Sequence, residues 1–277
     1  MIEITKASGD IVPFDAEKLR RSLKRVGTQE NLINQIVNEV YAALTPGMST
    51  RTIYQIAFRI LRSKSRISAA KYHLKRAIMH LGISGYPFEK YFSELLSYQG
   101  YQVQTNQTIR GRCVSHEVDV LAKKDKEVIF VECKYHHRAG IKCDVTIALY
   151  FKARFTDIQE GYTDLTDKTL AGWLVTNTRF SSDAMQYGRC AGLHLIGWDY
   201  PETGSLVEII ETTGLYPITC ISNLTKGELN RLIDNKVVLC KSLMESPDIL
   251  DQLRIPLARK NSILQQCKIL CEHIKSV

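Results

Sequence analysis

The amino-acid sequence predicts an α/β protein of several domains. A helical N-terminal domain opens with a β-hairpin, a mixed sheet flanked by helices comes next, and a small helical domain ends the chain. Three observations predict it. Apolar residues recur at helical spacing up to residue 81, then fall into short strand-like runs between 101 and 198, then return to helical spacing beyond 225. Gly82, Gly85 and Pro87 punctuate the first change. The charge also shifts: residues 1–85 hold fourteen Lys and Arg against six Asp and Glu, residues 86–212 fourteen against seventeen, and residues 213–277 nine against six. We therefore expect domains at 1–83, 84–212 and 213–277, each long enough to close a core.

In the first domain, Ile2 to Lys6 and Asp10 to Phe14 flank the small turn Ala7-Ser8-Gly9, which reads as a hairpin. Asp15 can cap a helix whose apolar positions Leu19, Leu23 and Val26 run to Gly27. Further helical periods cover 31–44, 50–62 and 68–81, separated by Thr45-Pro46-Gly47.

The central domain opens with a helix entered through Gly85-Tyr86-Pro87, with Phe88, Phe92, Leu95 and Leu96 as its stripe and Gly100 as its end. A strand is expected at 101–109. Next come two strands, Glu117 to Leu121 and Val128 to Tyr135, joined by the charged stretch 122–127. A helix from 144 to 158 carries Val145, Leu149, Lys152 and Phe155, then a buried strand runs from Gly172 to Asn177. Ser181 caps a helix around Met185, and Leu193 to Trp198 forms the last strand. One α, three β, then α, β, α, β predicts a mixed sheet with helices on both faces.

The hairpin carries the chemistry. Side chains alternate along a strand, so Glu117 and Asp119 are expected on one face, and Glu132 and Lys134 on a face with Val128 and Phe130. Charges among Val, Ile and Phe cost several kcal/mol to desolvate unless they are paired or bind a metal. Glu-x-Lys alone says little, because this composition yields about one chance match per chain. Glu89 lies at the edge of the preceding helix's stripe, within reach of a neighbouring site or of solvent. His136 and His137 are adjacent on an extended segment, so at most one faces the cluster; Arg138 beside them is a candidate phosphate contact.

Phe88-Glu89, Gly100-Tyr101, Asp119 and Glu132-Cys133-Lys134 together resemble the PD-(D/E)xK nucleases, specifically their Mrr-like restriction endonuclease branch. The resemblance implies a restriction-endonuclease-like core and a Mg²⁺- or Mn²⁺-dependent DNA endonuclease. Asp119, Glu132 and the carbonyl of Cys133 would hold the metal, and Glu89, Asp119, Glu132 and Lys134 would form the catalytic set. Mg²⁺ takes oxygen ligands and keeps several waters, so two carboxylates and a carbonyl suffice. The helix after Lys134 lacks the early Gln of many relatives, which puts in doubt a DNA-positioning contact.

Lys6-Ala7-Ser8-Gly9, Val12 to Leu19, and Tyr72 with Arg76 resemble the ATP-cone domain. That resemblance implies binding of ATP or dATP as a regulatory ligand, with Lys6, Gly9, Lys18, Arg20 and Arg21 at the nucleotide. No Walker A motif is present to suggest hydrolysis there.

Beyond residue 213, Thr225-Lys226-Gly227-Glu228 spells a capping box, Ser246-Pro247-Asp248 begins another helix, and Pro256 precedes a last one with Leu257, Ile263, Leu264, Cys267 and Leu270. This segment is expected to bind DNA, to oligomerise, or to pack on the nuclease. The eight cysteines contain no C-x-x-C pair, and no apolar run reaches membrane-span length, so a cytoplasmic chain is expected, with no membrane contact. Its partners are expected to be DNA and ATP or dATP, with a homo-oligomer possible. Two other functions fit the same residues: a repair or junction-resolving nuclease, and a nucleotide-responsive DNA-binding regulator without enzymatic activity.

Overall fold

The computed structural model describes residues 2–82, 84–162 and 167–272. Strands Glu3–Thr5 (β1) and Ile11–Pro13 (β2) pair antiparallel around a turn in which Gly9 takes φ +91°, a conformation that costs glycine little. Asp15 accepts hydrogen bonds from the amides of Glu17 and Lys18 and so starts Ala16–Arg25 (α1). Glu30–Ala43 (α2) comes next, then Met48–Ser49 (β3), which adds to β1 in parallel. Thr50–Lys64 (α3) and Arg66–Ile78 (α4) are separated at Ser65, whose hydroxyl caps α4. Leu23, Ile33, Ile36, Val40, Ala57 and Leu61 form the buried centre of this bundle.

α4 faces two ways. Ala69 belongs to the bundle, whereas Leu74, Ala77, Ile78 and Leu81 just past its end lie in the core of the next domain. The side chains of Leu74, Ile78 and Leu81 are essentially fully buried and each contributes about 1.5–3 kcal/mol. The passage from first to second domain is therefore a packed wall.

In chain order the central domain holds Tyr86–Tyr98 (α5), Gln102–Arg110 (β4), Ser115–Lys124 (β5), Glu127–Lys134 (β6), Lys142–Cys143 (β7) and Val145–Gly161 (α6). Thr169–Thr176 (β8), Arg179–Phe180 (β9), Ser182–Cys190 (α7) and His194–Ile196 (β10) complete it. The main sheet has the order β10-β8-β6-β5-β4, with β10, β8 and β6 mutually parallel and β5 and β4 antiparallel to their neighbours. Along β6, Ile129, Val131 and Cys133 pack on the α5 face, while Val128 and Phe130 pack on the α6 face.

Three sequence expectations change here. The link between β5 and β6 is a two-residue turn at Asp125-Lys126, because Lys123 and Lys124 still pair with Val128 and Glu127 and the Lys124 ammonium reaches the carbonyl of Gln99. The buried stripe of α6 is Ala148, Phe151, Phe155 and Ile158, so Leu149 is 47% exposed rather than buried. In the last helix Leu257 is likewise 70% exposed.

Leu206–Thr213 (α8), Lys226–Asp234 (α9), Cys240–Glu245 (α10), Ile249–Gln252 (α11) and Leu257–Glu272 (α12) are the remaining α-helices of the described residues. The capping box forms at Thr225 and Glu228, and Arg259 of α12 clamps the same Glu228 carboxylate. Leu232, Leu243, Leu250, Ile263 and Cys267 share one core with Leu95 and Val131, so the C-terminal helices cover α4 and α5. Two buried hydrogen bonds fix that cover: Tyr91 Oη to the Leu215 carbonyl at 2.7 Å and Thr219 Oγ1 to the Ala77 carbonyl at 2.8 Å.

Candidate active site

The β5–β6 ladder stops at Val120 and Val131. Beyond it the strands fork, and the Cys133 amide, lacking a backbone acceptor on β5, donates to Asp119 Oδ2 at 2.7 Å. In extended backbone the N–H and C=O of one residue point to the same side, so the Cys133 carbonyl is turned toward the fork as well. Across from Asp119 in register stands Asn106 of β4, with φ +53° between the pairs Thr105–Val120 and Gln107–Val118. The faces exchange at this rung: Val118 packs on the α6 side, and Val120, two residues later, on the α5 side. Glu117 and Asp119 consequently do not share a face as alternation alone predicts.

Glu132 keeps the expected parity, pointing to the α6 face with Phe130, and Lys134 lies one pleat further on. Glu132 is met there by Arg154 of α6, whose Nη1 stands 2.7 Å from Glu132 Oε2. A second arm of the same guanidinium donates to the Glu117 carbonyl. Glu89 reaches the cluster from α5: its proton affinity is pushed up to about 7, by burial first and then by Asp119, Glu117 and Glu132. Glu132 is likewise raised to about 7 by burial and by Asp119, with Arg154 and Lys134 opposing. Burial raises Asp119 too, against the lowering effect of the Cys133 amide. Burial first, and mutual repulsion after it, raise all three carboxylates, an electrostatic load that a cation would relieve.

Among the described residues, no three His, Cys, Asp or Glu side chains make a ready metal cluster. The donors the fork offers are all oxygen: the Asp119 and Glu132 carboxylates and the Cys133 carbonyl. That set fits Mg²⁺ or Mn²⁺ and not a thiolate-preferring ion. Cys133 itself is buried with its thiol held far above the usual range, so its side chain offers no thiolate.

The exit from β6 is held rigidly. Tyr135 Oη donates to the carbonyls of Met79 and Gly82, and its ring packs on Phe88. Asn177, fully buried, brackets His136: Oδ1 accepts from the His136 amide and Nδ2 donates to its carbonyl, at 2.8 and 2.7 Å. His136 is pushed below the usual imidazole range by burial and by Lys134. His137 and Arg138 are exposed. Periodicity does not mark Arg154 or the bracketing role of Asn177; Arg154 precedes Phe155 on a helix where the spacing of Val145, Leu149 and Lys152 points to a different face.

In the N-terminal bundle, Lys6 and Gly9 sit on the exposed β1–β2 turn. Lys18 lies 3.5 Å from Asp15, and Arg21 donates to the Glu17 carbonyl. Arg20 bonds Asn34 at 2.6 Å and pairs with Glu17 and Glu30, so it ties α1 to α2. Among the described residues, no hydrogen bond or ion pair links the Lys6–Gly9 turn to Lys18, Arg20 or Arg21. That same turn meets the central domain: a Cβ placed on Gly140, which has φ +91°, would come within 2.8 Å of the Ala7 carbonyl oxygen and 3.0 Å of the Ser8 nitrogen. Gly140 lies in the loop that leaves Lys134.

Among the described residues no helix is long and apolar enough to cross a membrane. Three family models match in succession: the ATP cone domain over residues 2–78, the restriction endonuclease (Mrr catalytic) domain over 81–200, and the AF1548-like C-terminal domain over 216–271. An uncharacterized protein of Archaeoglobus fulgidus is 36% identical over 155 residues, which is 56% of this chain and 84% of the relative. The crystal structure of AF1548, a protein of unknown function, superposes with a TM-score of 0.55 at 31% identity, covering 67% of this chain and 97% of that one. The chain belongs to the family of this Archaeoglobus fulgidus protein, and it joins an ATP cone, an Mrr-type restriction endonuclease domain and an AF1548-like C-terminal domain in that order.

Proposed function

We propose that this chain is a Mg²⁺- or Mn²⁺-dependent DNA endonuclease whose activity answers to ATP or dATP at the cone. The observation that carries the reading is the β5–β6 fork itself, where Asp119 accepts the Cys133 amide at 2.7 Å and Glu132, Glu89 and Lys134 stand within electrostatic reach. Asp119, Glu132 and the Cys133 carbonyl would hold the ion. When bound, a divalent ion supplies a water acidic enough to attack at neutral pH and a counter-charge for the phosphate. Asp119 keeps its orientation through the Cys133 amide. Lys134 orients the attacking water and balances charge that grows on phosphate oxygens in the transition state. Glu89, its carboxyl pushed up to about 7 by burial and by the neighbouring carboxylates, is able to accept or release a proton at the edge of the site.

Lys6, Gly9 and Lys18 are the residues we assign to the nucleotide, with Arg21 beside them and Arg20 in support through α2. Contact between the Ala7–Ser8 turn and Gly140 supports regulation, because whatever moves that turn moves the loop beyond Lys134. Nucleotide would also change how the basic flanking domains pack or oligomerise, and so how DNA reaches the acidic centre. Coupling in binding is reciprocal, so DNA must alter nucleotide affinity by the factor by which nucleotide alters DNA affinity. The test is nicking of supercoiled plasmid with and without Mg²⁺, Mn²⁺, ATP and dATP. Metal-dependent nicking that changes with nucleotide is the expected result; a purified folded chain that binds DNA but never cleaves it would leave a DNA-binding regulator.

A further inference from the structure

Arg154 places a guanidinium where a metal-holding carboxylate must be free. Its contact with Glu132 Oε2 is an ion pair of 2.7 Å between side chains only 16% and 20% exposed, and its other arm holds the Glu117 carbonyl on the adjacent strand. One side chain thus spans the mouth of the fork. Low exposure makes this pair strong while it lasts, and it also makes the simultaneous presence of a divalent ion and a guanidinium on one carboxylate unfavourable. The same guanidinium already rests beside an exposed aromatic ring, a contact that does not require Glu132. Tyr150, one turn earlier on α6, is 64% exposed, and its ring centre lies 5.4 Å from the Arg154 guanidinium carbon.

We propose that Arg154 is a displaceable counter-ion: it occupies Glu132 in the metal-free protein and leaves that oxygen when a divalent ion loads, so arginine and metal compete for one carboxylate. The inference rests on the reading of Asp119 and Glu132 as the metal-holding pair. Arg154 is in this scheme a positioning residue acting through Glu132. Its exchange keeps the acidic fork neutralised until metal arrives and then frees a cation at the rim.

The test is Mn²⁺ calorimetry on the full chain at pH 8, without DNA. Arg154→Met keeps the length of the side chain and removes the charge; it should bind Mn²⁺ roughly tenfold tighter or more, since a charge-assisted hydrogen bond no longer opposes loading. A residue that served only to brace the fold would instead show equal or weaker binding, and that result overturns the proposal. Glu132→Gln should weaken binding with or without Arg154. If the wild-type chain binds no Mn²⁺, the metal-site reading falls and takes the proposal with it. If it binds and folded Arg154→Met is unchanged, only the counter-ion falls. Should Arg154→Met fail to fold, the ¹⁵N side-chain resonance of Arg154 in the wild-type chain decides: it should move as Mg²⁺ is titrated in, and an unmoved signal at saturation overturns the exchange.

Discussion

Asp119 Oδ2 accepts the Cys133 amide at 2.7 Å, so a catalytic candidate also ties the two strands together just past the end of their ladder. Removing the carboxylate therefore touches fold and chemistry together. Asp119→Ala leaves a buried N–H unpaired, at a cost of about 1–3 kcal/mol. Asp119→Asn retains an acceptor there and separates the two effects.

On this basis Asp119→Asn, Glu132→Gln and Lys134→Ala should each reduce plasmid nicking by at least about a hundredfold, because they act on one transition state as a unit. Melting curves should show the three proteins folded. Wild-type nicking by a clean Glu132→Gln preparation would falsify the assignment.

The carboxylate cluster fixes the direction of pH dependence. Glu89 and Glu132 sit near 7 in the folded chain, above their ordinary value of 4.5, so the folded state binds more protons than the unfolded one between those limits. Their contribution to metal-free stability is full below about 4.5 and is lost as pH rises through about 7. Metal affinity runs the other way, rising over the same range as protons leave. The wild-type melting temperature should therefore fall relative to Glu89→Gln between pH 5 and 8, by on the order of 2 kcal/mol or less in stability. Added Mg²⁺ should recover more of it at pH 8 than at pH 6. A pH-independent difference between the two proteins would remove Glu89 from the cluster.

Lys6→Ala and Lys18→Ala should each weaken ATP or dATP binding by about tenfold or more, as expected for loss of a cation from a triphosphate site. Metal-dependent nicking without nucleotide should persist. Calorimetry on the full chain is the proper measurement, since residues 1–83 alone would expose Leu74, Ile78 and Leu81.

Gly140→Val tests the link between the two sites. A side chain there is strained by the positive φ and drives into the Ala7 carbonyl. The substitution should leave basal nicking within about threefold while flattening its response to ATP and dATP. If the response survives at full amplitude, the contact transmits nothing and nucleotide control must travel by another surface.

Much of the fold and of the fork is legible in the sequence. Residues 117–135 stand out because charged side chains recur at strand spacing among Val, Ile and Phe, and Asp15, Ser181 and Thr225 mark helix starts that the structure retains. The exchange of faces at Asp119 is not legible, since it coincides with a left-handed residue, Asn106, on another strand that strand alternation does not announce. Arg154 is hidden for a related reason. Two apolar frames overlap on α6, and only packing against Phe130 selects the one that turns Arg154 to Glu132. The charged run at 122–127 resembles a loop because lysines at a sheet's end can extend the ladder and still reach water.

The double allegiance of α4 has a consequence for how the chain is made. A ribosome delivers the ATP-cone bundle before the two domains that follow it, yet Leu74, Ala77, Ile78 and Leu81 find their partners on α5, the sheet and helices as late as α12. The Ala77 carbonyl waits for a hydroxyl 142 residues downstream. Until then the newborn N-terminal half carries an uncovered apolar strip, a docking place for chaperones and a point of aggregation if translation stalls. The cone's last helix is thus covered only when the C-terminal helices have been made.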